Sequence, residues 1–295
     1  MKEAIFRGCA TALVTPFRGG SVDEAALGKL IEAQVAGGCA ALVIAGTTGE
    51  SAALSYAEHK ALIEKAVRLC AGRVPVIAGA GSNSTEHALT LIRQAEDAGA
   101  DALLLVTPYY NKTSQEGLVR HFSYLADRSE KPILLYDVPT RTGMRIEPET
   151  LAKLSCHPRI FGLKAAGTDL DSLSRSMLLC PPDFAFYSGN DSLTLPIMAL
   201  GGLGVISVAS NLVPEAMSEL TRLCRMGDFR DAAALHFEYL PLMEALFSDV
   251  NPIPVKAAME ALGLCGGELR LPLTELGSEK RQRLLDTLGR YGLGI

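Results

Sequence analysis

"KPILLYDVP", residues 131–139, runs apolar through its centre and turns polar only at its end. A strand with one wet face would alternate. A continuous run suits a parallel strand covered on both faces. A short helical pattern follows at 148–154, and then a second run of the same kind, "RIFGLKAA" at 159–166. This strand–helix–strand unit recurs on both sides. Before it come "ATALVTP" (10–16), "AALVIAG" (40–46), "VPVIAGAG" (74–81) and "DALLLVTP" (101–108). After it come "FAFYSGN" (184–190) and "GVISVAS" (204–210). Each is trailed by a helical pattern, with capping signals such as "SYAE" (55–58) and "SQEG" (114–117), and stops such as "GG" (37–38) and "AGA" (98–100). Eight sequential units predict an α/β fold, a (β/α)₈ barrel of the TIM type. An open doubly wound sheet is the alternative on pattern alone. Past the eighth unit only helical stretches remain, at 228–247, 253–262 and 278–291. The expected division is therefore a barrel over 1–225 and a C-terminal helical appendage over 226–295.

The chain has 295 residues, 48% apolar and 21% charged, enough for a sizeable core and too few charges for disorder. Its net charge of −5, with no basic run, argues against nucleic acid as a partner. No apolar stretch reaches the ~18 residues of a membrane span. The start "MKEAIFRGCATALVTPF" does not read as a signal peptide, with Glu3 and Arg7 where an apolar segment would lie. Seven scattered cysteines, none in CxxC, read as reduced thiols of a cytoplasmic protein, and no Cys/His spacing supports a metal site.

In such a barrel the chemistry collects where strands end. Those ends carry "GTTGES" (46–51), "TPYYN" (107–111), "YDVPTRTG" (136–143), Lys164 and "SGND" (188–191). Lys164 follows an apolar strand and precedes two alanines. It either snorkels to solvent or is an amine desolvated until its pKa falls. A neutral amine attacks a ketone and forms a Schiff base. Tyr136, at the end of the preceding strand, could move the protons, with Thr47 and Tyr110 completing a hydroxyl chain. Arg141 is either a surface residue or a fork for a substrate carboxylate. "GTTGES" resembles an anion cradle, but it lacks both nucleotide-binding glycine patterns.

In this order, "GTTGES", "TPYYN", "YDVPTRTG", "GLK", "SGND", "GVISV" and "NPIPVKAA" resemble the dihydrodipicolinate synthase family. That family is grouped with N-acetylneuraminate lyase among the class I aldolases, and the resemblance spans the whole chain. It implies condensation of pyruvate with L-aspartate 4-semialdehyde, at the entry to diaminopimelate and lysine synthesis. Lys164 is then the Schiff-base lysine and Tyr136 the proton donor and acceptor. Thr47 and Tyr110 complete the relay, the tyrosine crossing from a neighbouring subunit. Thr48 and the Ile206 backbone hold the pyruvate carboxylate near Gly189, and Arg141 takes the aldehyde's carboxylate. The resemblance implies a homotetramer of two tight dimers, with no cofactor beyond the covalent pyruvate imine.

Two positions depart from the family pattern. Ala165 stands where an acid commonly follows the lysine, and Asp137 where Asn often follows the tyrosine. They leave open a related pyruvate-dependent lyase or dehydratase acting on a sugar acid or other 2-keto acid. The "PTRTG" arginine suits a short carboxylated aldehyde better than a polyol. A non-catalytic barrel that binds pyruvate or an amino acid would need no relay. Ser51, Ala52, His59, Asn83 and Tyr109 match positions that line the pocket for inhibitory lysine in family members, and His87 belongs to the same candidate allosteric set. Tyr56 replaces a common His, and His87 stands where inhibited members often carry Glu. Glu86 is adjacent, but one residue along a helix turns a side chain ~100°. Feedback by lysine is therefore expected to be weak.

Overall fold

The computed structural model describes residues 2–293. Eight parallel strands close into a barrel in sequence order: β1 (Gly8–Ala12), β2 (Ala41–Ile44), β3 (Val76–Gly79), β4 (Ala102–Val106), β5 (Ile133–Asp137), β6 (Ile160–Ala165), β7 (Ala185–Ser188) and β8 (Gly204–Ser207). The predicted (β/α)₈ architecture is the one observed, and β1 pairs with both β2 and β8 to close it.

Helices α1 (Glu24–Ala36), α2 (Tyr56–Cys70), α3 (Thr85–Asp97), α4 (Gln115–Asp127), α5 (Pro148–Ser155), α6 (Leu170–Leu179), α7 (Thr194–Ala199) and α8 (Pro214–Met226) follow the strands. Their starts obey the local chemistry. Ser55 and Glu58 form a reciprocal capping box on α2, while Asp23, Ser84, Ser114 and Asp169 each accept a first-turn amide. Pro148 and Pro214 occupy first-turn positions, where no amide is needed.

Two apolar layers result. The outer one fills the space between strands and helices. The inner one fills the barrel, mixing small residues such as Ala10, Ala41 and Ala102 with Leu134, Phe161 and Tyr187. Phe6 stacks on Tyr187 at 4.2 Å and plugs the end opposite the polar rim.

Three more helices follow the barrel: α9 (Phe229–Ala245), α10 (Ile253–Ala261) and α11 (Ser278–Gly289). α9 lies along α8, and α11 packs on both α9 and α10. The sequence pattern did not reveal a small hairpin pairing 17–18 with 21–22, or the short helical turn Pro139–Thr142. Both lie at the rim, where short polar segments carry no periodicity. Among the described residues, no helix is long and apolar enough to cross a membrane.

Candidate active site

Strand register decides the centre. Tyr136 of β5 is paired directly with Lys164 of β6. The pairing steps from Ile133↔Ile160 to Leu134↔Gly162, so β6 carries one extra residue. A bulge of this kind reverses the pleat. Phe161 faces the barrel interior, and so do Lys164 and Ala166, while Leu163 and Ala165 pack outward. Without the extra residue Lys164 would face the helices. Gly162 makes the crossing possible, since a Cβ there would lie 2.4 Å from the Ala185 carbonyl.

The Lys164 amine sits 4.3 Å from the centre of the Tyr136 ring, and the residue is 6% exposed. It makes no hydrogen bond to the described residues. Burial pulls its pKa down to about 8, with Arg141 pushing the same way and Asp191 opposing. Burial pushes the Tyr136 phenol above its usual value, while Arg141 and the Thr47 side chain pull it back. Gly189 borders the lysine closely: a Cβ there would meet the Ala166 methyl at 2.8 Å and the Lys164 stem at 3.1 Å. A larger residue would press on the amine.

These groups line a cavity of about 390 Å³ that also takes in Thr48, Arg141 and Val208. Ile206 is fully buried in β8, one pleat below that lining. The "GTTGES" loop is less of an open cradle than its glycines suggest. The Gly49, Glu50 and Ser51 amides are used within the turn, by the Gly46 and Thr47 carbonyls. Thr47 and Thr48 are the loop's side chains that face the cavity.

Tyr110 is elsewhere. It is 93% exposed, lines no cavity described here, and holds φ +66°, a costly conformation for a bulky residue. Its neighbour Tyr109 lines a second cleft of about 640 Å³, together with Ser51, Ala52 and His59. This cleft shares Thr47, Val138, Arg141 and Asn251 with the first cavity. Burial lowers the pKa of His59, whose Nε2 lies 2.7 Å from the Gly79 carbonyl. Asn83 lies outside this lining, its carbonyl accepting from the Asn111 amide at 2.9 Å. His87 also lies outside and meets Tyr56 edge-on at 6.4 Å. Glu86 is turned toward α4, where it accepts from the Tyr124 hydroxyl at 3.4 Å.

Residues the sequence reading passed over complete the arrangement. Asp191, fully enclosed, accepts from the Val208 and Ala209 amides at 3.0 and 2.9 Å. Asn251 donates from its side-chain amide to the Thr48 hydroxyl at 3.0 Å, and its carbonyl accepts from Arg141 at 2.9 Å. Lys256 and Glu50 form a buried pair at 2.7 Å. "SGND" and "NPIPVK" held these residues in plain view, but no spacing rule links them to strand ends so distant in sequence.

Residues 5–290 match the model of the dihydrodipicolinate synthetase family. The chain belongs to this family. The 4-hydroxy-tetrahydrodipicolinate synthase of Nitratidesulfovibrio vulgaris is 48% identical over 289 residues, covering 98% of this chain and 99% of the relative. The crystal structure of dihydrodipicolinate synthase from Aquifex aeolicus superposes with a TM-score of 0.96 at 45% identity, covering 98% of this chain and 99% of that one. The family member from Cyanidioschyzon merolae, solved with lysine bound, superposes with a TM-score of 0.96 at 40% identity, covering 99% and 100%. Such identities over nearly full length extend the dihydrodipicolinate synthetase likeness to both the barrel and the appended helices. Among the described residues, no group of three or more His, Cys, Asp or Glu side chains is placed to hold a metal.

Proposed function

We propose that this chain condenses pyruvate with L-aspartate 4-semialdehyde to give 4-hydroxy-tetrahydrodipicolinate, feeding diaminopimelate and lysine synthesis. The observation that carries this reading is the buried, unpartnered Lys164 in direct register with Tyr136, in a chain 48% identical to a named synthase.

The neutral Lys164 amine attacks the pyruvate ketone and forms a carbinolamine. Tyr136 delivers a proton to the departing hydroxyl, water leaves, and a protonated imine remains. That imine draws electrons from the methyl carbon, which loses a proton to become the enamine nucleophile. The enamine attacks the aldehyde carbon, Tyr136 and Thr47 move the proton to the new alkoxide, and the aldehyde substrate's own amine adds to the imine carbon, closing the ring as the bond to the Lys164 nitrogen breaks. Thr48 and the Ile206 backbone hold the pyruvate carboxylate beside Gly189, and Arg141 holds the aldehyde's. No metal or dissociable cofactor enters these steps.

Tyr110 completes the relay of a neighbouring subunit. Its exposure and strained backbone favour this, since no contact among the described residues uses the ring. The assembly we infer is a homotetramer of two tight dimers, in the cytoplasm, where the seven thiols stay reduced. The larger cleft takes lysine, the end product, as a weak inhibitor. His87 supplies no acidic partner for the ammonium, and Glu86 points away toward Tyr124. Half-inhibition is expected at ~1 mM lysine or above, the loss of one charge-assisted hydrogen bond accounting for a roughly 10- to 150-fold deficit. A value well below that in a steady-state titration would reverse this reading of His87.

Borohydride with pyruvate should add a pyruvate-derived mass on Lys164, and the chain should then turn over aspartate semialdehyde. Tyr136→Phe keeps the ring but loses the proton, for ~10²-fold or greater loss in turnover. An adduct elsewhere, or a phenylalanine variant within a few-fold of wild type, would sink the assignment.

A further inference from the structure

The segment "NPIPVK" at 251–256 belongs to the appended helices, and the reaction above leaves it without a task. Its first residue nevertheless reaches both ends of the substrate cavity. The Asn251 Nδ2 amide donates to Thr48 Oγ1 at 3.0 Å, and the Asn251 carbonyl accepts from the Arg141 guanidinium at 2.9 Å. Asn251 is 7% exposed. Five residues on, Lys256 grips the same "GTTGES" loop through Glu50. The segment thus holds the loop at two points and Arg141 at a third.

We propose that Asn251 is a positioning residue that fixes the direction of the Thr48 hydroxyl. A hydroxyl has one proton and two lone pairs. Here one lone pair takes the Asn251 amide, and an amide nitrogen cannot accept in return. The Thr48 proton therefore cannot point back at Asn251, and no described residue accepts it. It is left to point into the cavity that Thr48 lines, where the keto-acid carboxylate lies. A donor already aimed needs no reorientation when the carboxylate arrives. The Asn251 carbonyl meanwhile fixes Arg141, so one residue sets the spacing between the two carboxylate sites. This deepens the proposed reaction and rests on its assignment of Thr48 to pyruvate.

Asn251→Asp tests it with almost no change in shape. An ionised carboxylate only accepts, so the Thr48 proton turns toward it and away from pyruvate. The pyruvate concentration that half-saturates borohydride trapping should rise ~10-fold or more at pH 8, the loss of one well-placed donor plus an added negative charge. The ratio to wild type should narrow as pH falls, because a protonated carboxyl donates again. A merely structural role would not follow pH in this way. Asn251→Ala should weaken pyruvate saturation by a few-fold, and by nothing further on a Thr48→Val background. That pair introduces no charge and decides the matter if Asn251→Asp does not fold. Wild-type pyruvate saturation in Asn251→Asp, a pH-independent ratio, or additivity of Asn251→Ala with Thr48→Val overturns the inference. Absence of the adduct from wild-type Lys164 overturns the proposed reaction and this inference with it. A wild-type adduct with unchanged variants overturns this inference alone.

Discussion

Two lysines are buried among the described residues, and they are opposites. Lys256 has no exposed surface, and its three ammonium protons meet three oxygens: Glu50 at 2.7 Å, the Thr15 carbonyl at 3.0 Å and the Glu268 carbonyl at 2.5 Å. The Phe17 ring lies beneath it at 4.5 Å. Burial pulls its pKa down, but Glu50 pulls back, and a cation with every donor satisfied stays a cation. Lys164 has an aromatic ring and, among the described residues, no acceptor. Burial alone therefore does not make a nucleophile. Burial without a partner does, because nothing then offsets the cost of the charge, and the neutral amine comes within reach near neutral pH.

The sharpest way to break this contrast is Lys164→Met. Imine trapping and turnover should vanish, yet the protein should become more stable. The folded pKa of about 8 lies below the unfolded 10.5. The fold thus carries a penalty that is full below pH ~8 and disappears as pH rises toward 10.5. At pH 7 removing the amine should return about 3 kcal/mol, at 1.36 kcal/mol per pKa unit. Urea unfolding at pH 7 and pH 10 checks both parts. A variant less stable than wild type at pH 7 would show that the amine is not strained by burial.

Lys256→Met should do the reverse. It strands Glu50 without its cation and should cost ~3–5 kcal/mol. Replacing Glu50 by Leu in the same chain should recover much of that, since an apolar pair leaves nothing unpaired. Any folded fraction of Lys256→Met should still trap pyruvate at Lys164. Loss of trapping from a folded variant would mean that Lys256 takes part in the chemistry.

The barrel was legible because each strand is a continuous apolar run and most of the helices that follow begin on a capping side chain or a first-turn proline. Those are local signals, and eight repeats of them leave little room for another topology. The lysine and tyrosine were legible for the same reason, as polar residues ending apolar strands. What made them meet was not. The bulge that turns Lys164 inward shows only in its pairing with β5, because "RIFGLKAA" reads the same with either pleat. Asn251 and Lys256 were hidden by distance. Asn251 meets Thr48 across 203 positions and Lys256 meets Glu50 across 206, contacts that exist only once the appended helices cover the rim. "NPIPVK" marked the place without showing which of its residues face the site.

The smallest expected effect puts the same physics on a carboxyl. Asp137 follows Tyr136, where an asparagine is common in the family the sequence resembles. Its Oδ1 accepts one amide, from Ile146 at 3.1 Å, and burial pushes its pKa from 3.8 up to about 7 despite nearby Arg145. Near neutral pH a large share of it is thus the neutral acid, close in shape and charge to the asparagine it replaces. The sign is opposite to that of Lys164. Below pH 3.8 both folded and unfolded chains hold the proton and burial adds no penalty; above about 7 both have lost it and the penalty is full. Asp137→Asn keeps the acceptor for Ile146 and removes the charge. It should match wild type near pH 4 and exceed it by ~2 kcal/mol at pH 8, less than the full shift implies because the group is partly solvated. Urea unfolding at the two pH values measures the difference. Equal stability at both would mean that a water or Arg145 already pairs the carboxylate. The contrast with Lys164, an ion that burial leaves without a hydrogen-bond partner among the described residues, would then be sharper.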